Sequence, residues 1–218
     1  MATIKKGEEN LASRQSHASK IVDFEERDIQ AAILRAIAEE GVEILQTIGH
    51  THKNLLADRE FMLKAVKQDG CALQFANKRL QADREIVLEA TNENEKAFAH
   101  SDNRLRIDRD FVFEIVKNQG LSIQHINDRF RNDREIVLEA VKQDGGALKY
   151  AAKSLKADKE IVLEAVKGDG LVLQFASQDL KADREIVLEA VKSDGVEALQ
   201  YASETLQQDE GLINIMGR

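Results

Sequence analysis

Few side chains in this sequence could do chemistry, and their spacing limits what that chemistry could be. His50 and His52 stand in a Gly-His-Thr-His-Lys stretch, two imidazoles at i, i+2 without a third ligand nearby. A zinc site takes three or four protein ligands, so a solvated loop is expected there and no metal. Cys71 is the only cysteine and has no obvious histidine or carboxylate partner beside it in sequence. A reactive thiol needs a positive neighbour or a helix N-terminus to lower its pKa, so a semi-buried filler is the expectation. The glycines are isolated rather than clustered, which leaves no phosphate-cradling loop. No catalytic residue and no cofactor are expected.

Arginine gives the best candidate site. Arg79, Arg104 and Arg129 recur at 25-residue intervals, and Arg106 and Arg131 each follow by two residues. Aligned in a stack, these five would form a short basic ladder suited to a carboxylate or phosphate on a partner. The competing expectation is a solvated edge paired to Asp102, Asp108, Asp128 and Asp133. His100 and His125, also 25 apart, occupy a slot that holds Phe75, Tyr150, Phe175 and Tyr201 elsewhere. An imidazole replacing a ring in a packing slot is the expected role. His100, His125, Tyr150 and Phe175 are secondary candidates for contact with a ligand.

The elements that position these residues come from one recurring phrase, clearest at Asp183-Arg-Glu-Ile-Val-Leu-Glu-Ala-Val-Lys-Ser-Asp-Gly195. Its opening aspartate stands at Asp58, Asp83, Asp108, Asp133, Asp158 and Asp183, each 25 residues from the last, and Asp209 follows after 26. A fixed period of this length marks stacked repeats. With the aspartate as position 0, positions 3, 4, 7 and 8 are apolar and share one helical face, which position 5 widens. The aspartate is a favoured N-cap. The glycine at position 12 is expected to stop the helix in the left-handed conformation. A second helix of about eight residues, closing at position 22 and partly 3₁₀, should complete each unit. Two short helices cannot close a core alone, but stacked neighbours can.

Two irregularities stand out. Glu95 replaces the glycine of the second unit, so the turn within Thr91–Lys96 is expected to differ from the others. The third unit is bulky, with Phe111, Phe113, Ile115 and Phe130, which are expected to fill space left by less regular packing of the second.

Composition sets the outer limits. The formal charge is −8, whereas nucleic-acid-binding domains usually carry net positive charge, so nucleic acid is an unlikely partner. Proline is absent, as suits helices joined by short connections. No apolar run reaches membrane-spanning length. The first residues lack the apolar stretch of a secretory signal. A lone cysteine fits a reducing, cytoplasmic setting.

The phrase, followed by Ala-Leu-x-Tyr/Phe-Ala-Ser and Leu-Lys-Ala-Asp, resembles a tandem-repeat family described as a domain of unknown function (number four-one-one-six). The resemblance covers about residues 57–207 and departs at 91–104. It implies a helical repeat fold and no established activity.

The expected architecture is an all-α solenoid of about seven stacked helix-turn-helix units. Residues 1–27 form an arm, partly helical near Ile21–Phe24; 28–56 form a degenerate first repeat, 57–207 six 25-residue repeats and 208–218 a C-terminal cap. The expected function is a non-catalytic scaffold, monomeric or weakly oligomeric, that binds another protein. The alternatives are a reader of RNA or of a phosphorylated ligand, using the arginines and position-17 rings, and an effector with an unrecognised activity.

Overall fold

The computed structural model describes residues 26–215, so most of the expected N-terminal arm, including Ile21–Phe24, lies outside the described residues. Within them the chain is a helical repeat solenoid without strands. Helical residues 26–40, the helix Ile44–Thr51 and the turn Leu55–Ala57 precede Asp58. Six units follow, numbered here from Asp58.

Each long helix starts immediately after its aspartate. In the first five units these helices are Arg59–Gln68, Arg84–Glu93, Arg109–Asn118, Arg134–Gln143 and Lys159–Gly168. The aspartate backbone is extended, and its carboxylate accepts from first-turn N–H groups, as Asp133 does from Glu135 and Ile136. The apolar face points inward: Ile136, Val137 and Ala140 are fully buried, and Val141 is nearly so. Fully burying a Val or Ile side chain stabilises by about 1.5–3 kcal/mol, and here the covering surface belongs to the neighbouring units.

The second element is a 3₁₀ helix of six residues in the first five units, from Gly70–Phe75 to Gly170–Phe175. A separate short turn closes each unit, such as Asn103–Arg106 or Asp128–Arg131. A unit therefore holds three helical pieces where two were expected. In these five units position 11 separates the first two by taking an extended backbone. At Asp69, Asn94, Asp144 and Asp169, though not at Gln119, its side chain caps the 3₁₀ helix: Asp144 accepts from Gly146 N at 2.8 Å.

The glycine at position 12 has a different role from the one expected. Among the described residues only Gly41 and Gly195 have positive φ. Gly70, Gly120, Gly145 and Gly170 instead lie against the next unit. A Cβ on Gly120 or Gly145 would stand 2.5 Å from the carbonyl oxygen of Ala140 or Ala165, and one on Gly70 or Gly170 would be nearer still to Ala90 or Ala190. Contact between neighbouring backbones demands glycine at these positions. Gly195 has no such neighbour and takes φ +61, kinking the segment Arg184–Leu199.

Glu95 shows the same constraint in reverse. Its turn does not differ as expected, because Asn94 keeps the extended backbone (φ −153, ψ 113) of Asp69 and Asp144. The change falls on the junction beyond it. The helices Arg84–Glu93 and Arg109–Asn118 approach each other less than the other neighbouring long helices do. The backbone bond joining other units (Ala152 N to Arg131 O, 2.8 Å; Ser177 N to Lys156 O, 2.8 Å) is not formed from Asn127 to Arg106. Of the expected bulky residues, Phe111, Ile115 and Phe130 are buried, whereas Phe113 stays half-buried. Phe98 of the second unit joins them, fully buried with its ring centroid 6.3 Å from that of Phe111, and Ile115 replaces the small alanine of other units.

Position 1 of each unit pairs with position 0 of the next. Nε of Arg59, Arg109, Arg134 and Arg184 reaches Asp83, Asp133, Asp158 and Asp209, and Lys159 Nζ reaches Asp183, at 2.7–3.1 Å. Arg84 joins Asp108 at 3.0 Å and Glu114 at 3.3 Å, with its guanidinium carbon 4.5 Å from the Phe111 ring centroid. Beyond the sixth unit Asp209 accepts from Leu212 N, and the helix Glu210–Ile215 buries Leu212.

Candidate functional site

The edge built from the 3₁₀ helices and closing turns carries all the predicted site residues. In the first four units it spans 74–82, 99–107, 124–132 and 149–157, which hold nine Lys or Arg against two Asp or Glu, a net +7 in a chain of −8. Backbone bonds tie the first segment to the second (Asp102 N to Gln81 O, 2.8 Å) and the third to the fourth (Ala152 N to Arg131 O, 2.8 Å). At the junction between the second and third, the Arg129 side chain reaches the Ile107 carbonyl instead.

The five candidate arginines separate into different roles. Arg79, Arg104 and Arg129 are exposed at position 21. Arg79 donates to the Ala57 carbonyl at 3.2 Å, and Arg129 donates to the Ile107 carbonyl while its guanidinium carbon lies 4.3 Å from the Phe130 centroid. No carboxylate within salt-bridge distance of either is found among the described residues, and a guanidinium carries five donors. Arg104 Nε bonds Asp102 at 3.0 Å, yet its side chain is 82% exposed. That bond holds the Asp102 carboxyl below its usual range.

Arg131 is committed to its own unit. Its Nε and Nη2 donate to the carbonyls of Ile123 and Gln124 at 3.1 and 2.6 Å, and Nη1 meets Asp128 at 3.0 Å. Position 23 has this role elsewhere too. Gln81 donates to the carbonyls of Leu73 and Gln74, Lys156 to that of Lys149, and Gln207 to those of Gln200 and Ala202. Carbonyls ending a 3₁₀ helix need donors, and position 23 supplies them. The signal was visible as a run of donor residues: Gln81, Arg106, Arg131, Lys156, Lys181 and, one residue later, Gln207. Arg106 is half-buried and lies next to the exposed Ile107. The paired-edge expectation holds for Asp102 and Asp128, while Asp108 and Asp133 belong to the inter-unit ladder.

The position-17 row is likewise mixed. Tyr150 is half-buried, donates its hydroxyl to Gln124 Oε1 at 3.0 Å and has Lys149 Nζ 5.6 Å from its ring centroid. His125 is half-buried, its Nε2 has no partner among the described residues, and burial lowers its pKa despite nearby Glu95. His100 is exposed, and Phe175 is half-buried. Cys71 accepts from Asn94 Nδ2 at 3.3 Å, and burial first, then Asp69, pushes its thiol pKa upward. His50 and His52 join no group of three metal-ligating side chains among the described residues.

An array of this kind presents a rail of side chains, one set per unit, and its fold class is that of a helical repeat protein. A family model, "Domain of unknown function (DUF4116)", matches three times in tandem over residues 58–106, 108–156 and 158–207. The chain belongs to that family, and each match spans two of the 25-residue units. No curated protein and no solved structure matches the chain. No helix among the described residues is long and apolar enough to cross a membrane.

Proposed function

We propose that this chain is a non-catalytic scaffold that binds another protein along the basic edge of its first four units. The observation that carries the reading is the contrast between two sets of cations. Those at position 1 are paired to carboxylates of the next unit, whereas Arg79 and Arg129, on an edge of net +7, meet no carboxylate among the described residues. Arg104 on the same edge, paired only with Asp102 of its own closing turn, is 82% exposed. Exposed guanidinium groups set one unit apart suit an extended acidic surface, which can meet several of them at once. The lone cysteine favours action in the cytoplasm, and a monomer suffices because the edge needs no second copy.

Affinity purification tests this. The intact chain should recover an acidic partner that the Arg79→Glu/Arg104→Glu/Arg129→Glu variant, with an unchanged circular dichroism spectrum, does not. Recovery of the same partners by both would remove these arginines from the binding surface. Recovery of RNA instead of protein, lost with rising salt, would favour the nucleic-acid reading.

A further inference from the structure

Beyond the arginines, the edge contains a cleft of about 460 Å³ between the fourth and fifth units, lined by Lys153, Lys156, Ala157, Phe175, Ala176, Ser177 and Gln178. Its formation follows from the residue types. In the fourth unit the position-17 ring is Tyr150, whose hydroxyl bonds back to Gln124. Phe175 has no hydroxyl to bond, and neighbouring Gln174 turns to its own helix, donating to the Leu171 carbonyl at 3.1 Å. Alanine at 157 and 176 leaves the space beside the ring open. Exposed Lys153 is paired with no carboxylate among the described residues. Lys156 donates to the Lys149 carbonyl at 2.7 Å, and burial lowers its pKa, so a carboxylate set beside it would stabilise its charged form.

The geometry points to this cleft as the anchor point for an acidic linear protein segment, with one large apolar side chain set against Phe175 and its carboxylates on Lys153 and the basic residues toward the first unit. This rests on the scaffold reading and adds a residue-level specificity to it. Charge selects the occupant: the segments 124–132 and 149–157 on the N-terminal side of the cleft hold five Lys or Arg and one Asp, whereas 174–182 on the other side is balanced by Asp179 and Lys181. The segment's acidic residues should therefore run from the cleft toward Arg129.

The test uses the full chain and a fluorescein-labelled peptide, Asp-Glu-Asp-Glu-Asp-Leu-Phe-Ser, read by fluorescence anisotropy. Replacing Leu-Phe by Ala-Ala in the peptide should weaken binding by about tenfold, the size expected when one buried side chain of this kind is lost. Ala157→Glu and Lys153→Glu, both at exposed positions, should each cost a similar factor. Phe175→His places in the slot a residue that the second and third units already carry there, so it should fold and also lose binding. It should bind the Ala-Ala peptide no worse than wild type does. Unchanged affinity for Phe175→His and Ala157→Glu, with loss only for the Arg79/Arg104/Arg129 reversal, would overturn the cleft and leave the basic edge standing. Wild-type binding by every variant would overturn both. A uridine octamer bound as tightly, and weakened equally by Phe175→His, would show an anion-stacking site and overturn the protein-segment assignment.

Discussion

Arg109 and Asp133, 24 residues apart, join neighbouring units by two hydrogen bonds, Nε to Oδ2 at 2.7 Å and Nη2 to Oδ1 at 3.1 Å. The same carboxylate caps its own helix, accepting from Glu135 N at 3.1 Å and Ile136 N at 3.3 Å. One side chain thus starts a helix and holds it to the previous one.

The two partners should differ in their cost on removal. Arg109→Ala breaks an exposed ion pair and should cost about 0.2–1 kcal/mol. Asp133→Ala removes the cap as well and should cost about 1–2 kcal/mol. Urea denaturation of both variants and the double mutant measures this, and equal losses would show that the capping bonds contribute nothing.

Acid should weaken the array. Hydrogen bonds from Arg109, Arg134 and Lys159 hold the carboxyls of Asp133, Asp158 and Asp183 below their usual range, against the opposing effect of burial. Because the folded-state values are depressed, this stability is fully present above the unfolded carboxyl pKa, about 4. It is lost as pH falls through the lower folded values. The melting temperature should be flat above about pH 5 and decline below about pH 4. Asp158→Asn should be less stable at neutral pH and show a shallower acid decline.

Two glycines in adjacent units should respond oppositely to alanine. At Gly145 the added carbon would meet the Ala165 carbonyl at 2.5 Å, so Gly145→Ala should destabilise by about 1–3 kcal/mol. Nothing lies within 4 Å of a Cβ at Gly168, which ends the helix Lys159–Gly168. Gly168→Ala should stabilise by about 0.5–1 kcal/mol. Thermal melts of both variants check the pair.

The junction between the second and third units should depend on its aromatic filling. Phe111→Ala removes a fully buried ring that touches Phe98 and lies beneath Arg84, and should cost about 3–5 kcal/mol. The loss should appear by hydrogen exchange first in 84–118, because this junction lacks the Asn127–Arg106 backbone bond and its long helices approach each other less than those of the neighbouring junctions.

Much of this architecture is legible in the sequence, because a 25-residue period repeats cap, apolar face and turn with little variation. Aspartate caps and the buried positions of the long helix follow from residue type and helical geometry alone. The role of Gly120 does not, since a glycine required by a neighbour's carbonyl and one required by positive φ look identical in one dimension. The pairing of Arg109 with Asp133 was missed for a related reason: position 1 reads as solvated surface until the units are superposed. Within the candidate site, Arg104 and Arg131 look equivalent in sequence. Only the fold shows that Arg131 points at carbonyls two turns back while Arg104 reaches outward.

The measurement that bears most directly on the scaffold reading is hydrogen–deuterium exchange of the chain with and without its recovered protein partner. The account predicts added protection over residues 74–82, 99–107, 124–132 and 149–157, with the long helices little changed. Protection confined to the long helices, with that edge exchanging as in the free chain, would contradict it.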